Sequence, residues 1–413
     1  MNGREARMEK EKGYLEDPLR GRFESVVRRA VEKGDGRTLV WLERTFFYPA
    51  SGGQPDDRGT LGGLTVTSVE EEDGVRHEVA GRLAEGDRVE GEVDMARRLD
   101  HMRQHTGQHL LSRVLLDGWS LRTVGFHLGE RTSTIDLDGE GGEKVLERAE
   151  RVVNERIMAD IPVTARTLTR EQYESEARAP GRGTRSRLPE GTGEVRVVEI
   201  EGTDSSTCCG THCPRTGMIG VLKILGTETV RGGTRVEFVC GTRALEDYAG
   251  KHSMLDSLAR TFSADWSEVG RLVGKLQEES RAARKECSRM AAELAAARAG
   301  SMTDSAERVG RFRLVMGVMD GMDAAQARET ATKIREEADT VVLLGTPSGP
   351  GLVFACTPGL DLDIGAVLRE AASVMGAKGG GGKDFAQGGG GDPGRLGDAL
   401  MRAREMVKEV FGG

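Results

Sequence analysis

Apolar residues recur with different periods along this chain, and each change of period marks a change of element. From residue 23 to residue 96 they come in short runs bounded by Gly and Asp. Thr38-Leu39-Val40-Trp41-Leu42 and Leu64-Thr65-Val66-Thr67-Ser68-Val69 read as strands of a small β-barrel-like domain. From 95 to about 118 a spacing of three and four predicts a helix. A strand at 133–137, an amphipathic helix at 143–159 and strands at 194–201, 220–225 and 234–240 make residues 97–242 an α+β domain.

Between 243 and 302 the period is helical. Leu245, Tyr248, His252, Leu255, Ala259 and Phe262 form one stripe. Val269, Val273, Leu276, Ser280, Ala283, Cys287, Met290, Leu294 and Ala297 form a second. Ser263-Ala264-Asp265 separates them, and Asp265 with Glu268 matches a capping box, so an antiparallel, coiled-coil-like helical hairpin is expected. Strands at 314–318, 340–344 and 351–355, with helices at 324–337 and 364–375, make 303–413 a separate α/β domain. The fold class is therefore α+β multidomain, with residues 1–22 as a charged leader.

Composition narrows the setting. A chain of 413 residues has room for two to four domains, each with its own core. A net charge of −8 argues against a generally basic, non-specific nucleic-acid binder and leaves room for a local basic groove. Arg178, Arg182, Arg185 and Arg187, interleaved with Pro180, Gly181 and Gly183, read equally as a solvated loop or as such a contact. No apolar run reaches the length of a membrane span and no signal peptide opens the chain, so no membrane role is expected. Six irregularly spaced cysteines do not form a secreted disulfide framework, so a cytoplasmic location is expected.

The candidate chemistry lies in two pairs. His105 and His109 are four apart on the predicted helix and share a face. Cys208 and His212 repeat that offset in a glycine-containing turn. Three nitrogens and one sulfur suit tetrahedral zinc. A protease motif would need a glutamate after the first histidine, and Thr106 stands there. Gly52 and Gly53 follow the aromatic run Phe46-Phe47-Tyr48, which fits a hairpin turn or a close approach to a ligand. Near the C-terminus, Lys378, Lys383 and Gln387 punctuate two glycine runs, which fits a flexible linker or a phosphate-binding loop.

Taken together these residues resemble the AlaX-type alanyl-tRNA editing proteins. Thr45 to Gln54 is similar to their glycine motif, Arg103 to Ser112 to their first zinc motif, and Cys208 to His212 to their second. The C-terminal glycine run with Ala386-Gln387 resembles the DHH-associated domain that ends alanyl-tRNA synthetases. Three positions depart from the pattern. Cys209 stands where glycine is usual, Cys213 where an aliphatic residue is usual, and Lys383 where arginine is expected. Either extra thiol could compete as a ligand.

The resemblance implies trans-acting editing of mischarged tRNA(Ala). The ester of Ser-tRNA(Ala), and of Gly-tRNA(Ala), would be hydrolysed without ATP and without aminoacylation. One Zn2+ per chain would be held by His105, His109, Cys208 and His212. Thr45 would contact the serine hydroxyl and Gln54 would position the ester or water, with Gly52 and Gly53 against the substrate. Arg182, Arg185, Arg187, Lys378, Lys383 and Gln387 would meet the tRNA, and the C-terminal region would support a homodimer. A pocket built for alanine rejects serine poorly, whereas a second site that pairs with the added hydroxyl can demand it. Editing of Ser-tRNA(Thr), or a non-catalytic tRNA-binding module with structural zinc, stays open.

Overall fold

The computed structural model describes residues 11–177, 194–347 and 351–411. The basic segment with Arg178, Arg182, Arg185 and Arg187 lies outside them. The chain forms two compact units, Met1–Ser257 and Leu258–Gly413.

The first unit begins with a closed barrel. Strands β1 (Arg22–Glu32), β2 (Thr38–Leu42), β3 (Gly59–Leu61), β4 (Leu64–Glu71), β5 (Val75–Val79) and β6 (Arg88–Val93) pair in the order β1-β2-β5-β4-β3-β6. Alternate residues point inward, so Val27, Val40, Leu42, Leu61, Val66, Val79 and Val89 fill the interior. Phe46, Phe47 and Tyr48, in the connection from β2 to β3, are buried with them. Each such side chain contributes roughly 1.5–3 kcal/mol on burial. Closure removes free sheet edges, which a six-strand open sheet would have to protect.

Helix α1 (Met95–Trp119) follows β6 directly, and Asp94 caps it by accepting from the amides of Ala96 and Arg97. The rest of the unit is β7 (Thr123–Leu128), β8 (Ser133–Leu137), α2 (Glu143–Met158), β9 (Val163–Thr169), α3 (Arg170–Ala177), β10 (Glu194–Ile200), β11 (Asp204–Thr207), β12 (Leu222–Val230) and β13 (Gly233–Cys240), ending in α4 (Thr242–Thr261). Two sheets form, β12-β13-β8-β7 and β11-β10-β9. Met102, Leu110, Leu111 and Leu115 of α1 share one core with Ile135, Val153, Ile157, Val198, Leu222 and Phe238. Helix α1 is thus buried on nearly every side. The barrel is fastened to its first turn by Arg98 and Asp57, both fully buried. Arg98 Nε donates to Asp57 Oδ1 at 3.0 Å, and Nη1 donates to the Pro18 carbonyl at 2.8 Å.

The second unit holds α5 (Val269–Asp304), β14 (Glu307–Val309), β15 (Phe312–Val318), α6 (Ala324–Ile334), β16 (Thr340–Thr346), β17 (Gly351–Cys356), α7 (Ile364–Val374), β18 (Lys378–Gly381), β19 (Phe385–Gly389) and α8 (Leu396–Phe411). Its sheet runs β14-β15-β16-β17-β19-β18. The glycine run is no linker: β18 and β19 pair antiparallel, Lys378 opposite Gly389 and Gly381 opposite Ala386. A side chain at Gly379 would lie 2.7 Å from the Gly388 backbone, so glycine lets the two strands close. The expected capping box at Asp265 does not form. Asp265 accepts from the Ser267 amide and Glu268 is taken by Arg271. A full capping box occurs instead at Asp323 and Gln326. The apolar stripe of α5 stays exposed at Val273, Leu276, Met290 and Leu294.

Candidate metal centre

His105 and His109 project from α1, and Cys208 and His212 from the turn after β11. Their four donor atoms lie within 4.8 Å of one another, and three of the four residues are buried. Cys208 Sγ is 3.4 Å from His105 Nε2 and 3.3 Å from His212 Nε2. Tetrahedral zinc, with bonds of about 2.0–2.3 Å, needs donor separations of about 3.3–3.6 Å. The donor set suits that ion in chemistry, and the two distances from Cys208 match that spacing.

Hydrogen bonds fix which nitrogen of each imidazole faces the centre. His109 Nδ1 lies 3.3 Å from Asp204 Oδ2, an acceptor, so Nδ1 carries the proton. Thr106 Oγ1 gives its own proton to the Met102 carbonyl at 2.8 Å and so accepts from His212 Nδ1 at 3.3 Å. His105 Nδ1 faces Gln54 Oε1 at 2.9 Å. Each histidine therefore turns Nε2 inward. Such outer partners orient ligands and raise their basicity. Burial would push the Cys208 thiol up, but His105 and His212 beside it hold it well below the ordinary range, as a thiolate. Burial and neighbouring His105 hold His212 down, to about 3. Burial opposes charge on His109, but its bonds to Asp204 and Cys208 lift it to about 9.

The turn itself is clasped by Arg196 of β10, whose Nη1 donates to the carbonyls of Cys208 and Gly210 at 2.7 and 2.9 Å. Gly210 is sterically required, because any side chain there would run into the His105 ring. Cys209 is exposed and Cys213 buried, its thiol pushed up to about 11 by burial; neither belongs to the donor set.

The donors open on a cavity of about 450 Å³ lined by His105, His109, Cys208, Gln108, Thr123, Phe126, Arg196 and Gly52. Gly52 and Gly53 have φ of 54° and 85°, and a side chain at Gly53 would meet the Phe126 ring at 2.8 Å. The glycine motif is thus a tight turn, one of the two readings of the sequence, and it packs closely against the Phe126 ring. Phe126 in turn stacks on His105, with ring centroids 5.8 Å apart.

Thr45 is not brought to this cavity. It is fully buried, and its hydroxyl donates to His77 Nε2 at 2.8 Å and accepts the Phe47 amide at 3.1 Å. His77 Nδ1 donates to the Val40 carbonyl at 3.1 Å, which leaves Nε2 as the acceptor. The Thr45 hydroxyl thereby pins the glycine motif to the barrel. Gln54 is buried among metal-donor groups and is absent from the cavity lining. Lys378, Lys383 and Gln387 are exposed in the second unit.

A family model described as the threonyl and alanyl tRNA synthetase second additional domain matches residues 195–237, and a DHHA1 domain model matches residues 312–409. The alanine–tRNA ligase of Halorubrum lacusprofundi is 35% identical over 97% of this chain and 44% of its own length. That of Methanopyrus kandleri is 31% identical over 98% and 45%. This is an AlaX-type chain with a C-terminal DHH-associated domain. It spans less than half the length of the ligases it matches. Among solved structures, the C-Ala domain from Aquifex aeolicus alanyl-tRNA synthetase is similar at 29% identity. It covers 26% of this chain and 98% of its own, with a TM-score of 0.24.

Within this AlaX-type chain the matched segment 195–237 contains Arg196, Asp204, Cys208 and His212, while His105 and His109 precede it. Sequence reasoning missed Arg196, Asp204, Thr106 and Thr123. Thr106, inside the segment that resembles the first zinc motif, serves both His212 and the Cys213 amide through its hydroxyl, the latter at 3.0 Å.

Proposed function

We propose that this chain hydrolyses the aminoacyl ester of mischarged tRNA(Ala), with Ser-tRNA(Ala) as main substrate and Gly-tRNA(Ala) as a slower one. One observation carries the reading: three of four side chains that could hold a metal ion line a cavity that also presents a side-chain hydroxyl. His105, His109, Cys208 and His212 would hold one Zn2+. When bound, that ion supplies a fixed positive charge that orients the ester or the terminal ribose.

The remaining work falls to this chain's own groups. Thr123 lines the cavity, and its hydroxyl donates to Ser112 Oγ at 2.7 Å, which leaves its lone pairs to accept a substrate hydroxyl. Ser112 also accepts from Gln108 Nε2 at 2.9 Å, so the acceptor is held in place. A seryl ester satisfies Thr123, whereas an alanyl ester leaves it unpaired at a cost of about 1–3 kcal/mol. Phe126 walls the cavity and stacks on the His105 ring. Lys378, Lys383 and Gln387, exposed in the second unit, would meet the tRNA body, as would the arginines of 182–187. The exposed apolar positions of α5 support a homodimer through the C-terminal region. No described helix is long and apolar enough to cross a membrane, which fits a cytoplasmic role.

The test is deacylation of Ser-tRNA(Ala), Ala-tRNA(Ala) and Ser-tRNA(Thr) by the purified chain. Loss of serine from tRNA(Ala) with alanine retained is expected. Loss only from tRNA(Thr) would move the substrate. Binding of all three without hydrolysis would leave a tRNA-binding module.

A further inference from the structure

Gln54 sits in the turn between β2 and β3, tied by Ser51 and Gln54 exchanging backbone hydrogen bonds of 3.1 and 2.9 Å. It is 2% exposed. Every hydrogen bond of its side chain goes to the donor apparatus rather than to the cavity. Oε1 lies 2.9 Å from His105 Nδ1 and accepts the Thr211 amide at 3.1 Å, and Nε2 donates to Thr211 Oγ1 at 2.8 Å. Thr211 stands between Cys208 and His212.

The orientation of this amide follows from its partners. A backbone N–H can only donate, so the atom facing the Thr211 amide is the oxygen. That same oxygen faces His105 Nδ1, which must then carry the proton. The lone pair of His105 is thereby placed on Nε2, the atom 3.4 Å from Cys208 Sγ. Both acceptor positions of Oε1 are used, so the glutamine has no oxygen left to bind an ester or a water. His109 is oriented by Asp204 and His212 by Thr106, both from outside the barrel. Among the described residues His105 is the one donor oriented from the barrel.

We propose that Gln54 is a positioning residue that makes the N-terminal barrel part of the metal centre, setting affinity for the ion without touching it. The inference rests on the metal reading of the four donors. It also requires reciprocity: if the Gln54 strut strengthens metal binding, metal binding must order the 51–54 turn by the same free energy.

The experiment compares the full chain with Gln54→Met, which keeps length and volume, and Gln54→Glu, which keeps the two acceptor contacts. Zinc affinity is read by competition with a chromophoric chelator, the ligand field by Co2+ absorption, and the 51–54 turn by amide hydrogen exchange with and without zinc. Thermal melts at saturating zinc check that each variant folds. Gln54→Met is expected to weaken zinc binding by about 10–100-fold. It should also abolish the zinc-dependent protection of the turn, and Gln54→Glu should restore both. Zinc affinity of Gln54→Met within twofold of the unmodified chain would overturn the proposal. So would equal weakening by both variants, because the acceptor contacts that Gln54→Glu keeps would then count for nothing. If the unmodified chain takes up no Co2+, the metal centre itself falls, and this inference with it.

Discussion

Helices α1 and α5 are both long, and the longer carries the cleaner apolar stripe. From Val269 to Ala297, α5 repeats small and apolar residues every three or four positions, whereas α1 mixes histidines, glutamines and arginines into its pattern. The structure inverts the expectation. Met102, Leu110 and Leu111 of α1 are fully buried, while Leu276 and Met290 of α5 are each 55% exposed. Periodicity says that a segment can be a helix; what surrounds it decides burial. A helix with polar residues on its buried faces must bring their partners along, because an unpaired polar group costs about 1–3 kcal/mol there. In α1 those partners are Asp57 for Arg98, the Cys240 backbone for Gln104 at 3.0 and 2.8 Å, and Ser112 for Gln108. The same requirement that costs stability gathers the chemistry.

The largest expected effect that sharpens this contrast is at Arg98. Arg98→Met leaves Asp57 buried without its cation, and burial already pushes that carboxyl up despite Arg98. A loss of about 3–5 kcal/mol is expected in denaturant unfolding of the first unit. Next comes a matched pair. Met102→Ala should cost about 2–5 kcal/mol, whereas Met290→Ala should stay within about 0.5 kcal/mol for the isolated chain at low concentration. Equal costs would break the comparison, and a concentration-dependent cost at Met290 would reveal a partner on α5.

The third effect is a pH dependence in the barrel. Burial holds His77 down, to about 4, against the bond to the Val40 carbonyl that favours its charge. The unfolded chain, with an ordinary histidine near 6.5, binds the proton first. The contribution is therefore complete above pH about 6.5 and is lost as pH falls toward 4. It amounts to about 3 kcal/mol. His101 is held down to about 4 by burial as well, and adds to the same slope from α1. A melt series from pH 7 to 4 should show it, and His77→Gln should flatten part of it. A stability curve that rises on acidification would contradict the assignment. The smallest effect expected is at the cavity: Thr123→Val should slow Ser-tRNA(Ala) deacylation about tenfold and leave the rate on Gly-tRNA(Ala) nearly unchanged. A change at Thr45 should show first in barrel stability.

The donors were legible because helix and turn geometry turns a four-residue spacing into a shared face. Their orienting partners were not. Gln54 lies 51 positions from His105, and Asp204 lies 95 from His109, so no period links them. At Thr45 a motif position alone does not say whether a hydroxyl faces a cavity or a buried histidine, and here it bonds to His77. In the barrel, β1 went unread since its apolar residues are spaced among arginines and glutamates. The glycine run near the C-terminus was ambiguous because the same residues permit a flexible chain and a strand pair too close for side chains.

Native mass spectrometry of the purified chain tests the central claim most directly. The account predicts one zinc ion per chain, retained in the unmodified protein and absent from Cys208→Ala and His109→Ala. A folded chain without metal, or one that keeps its zinc in both variants, would contradict it.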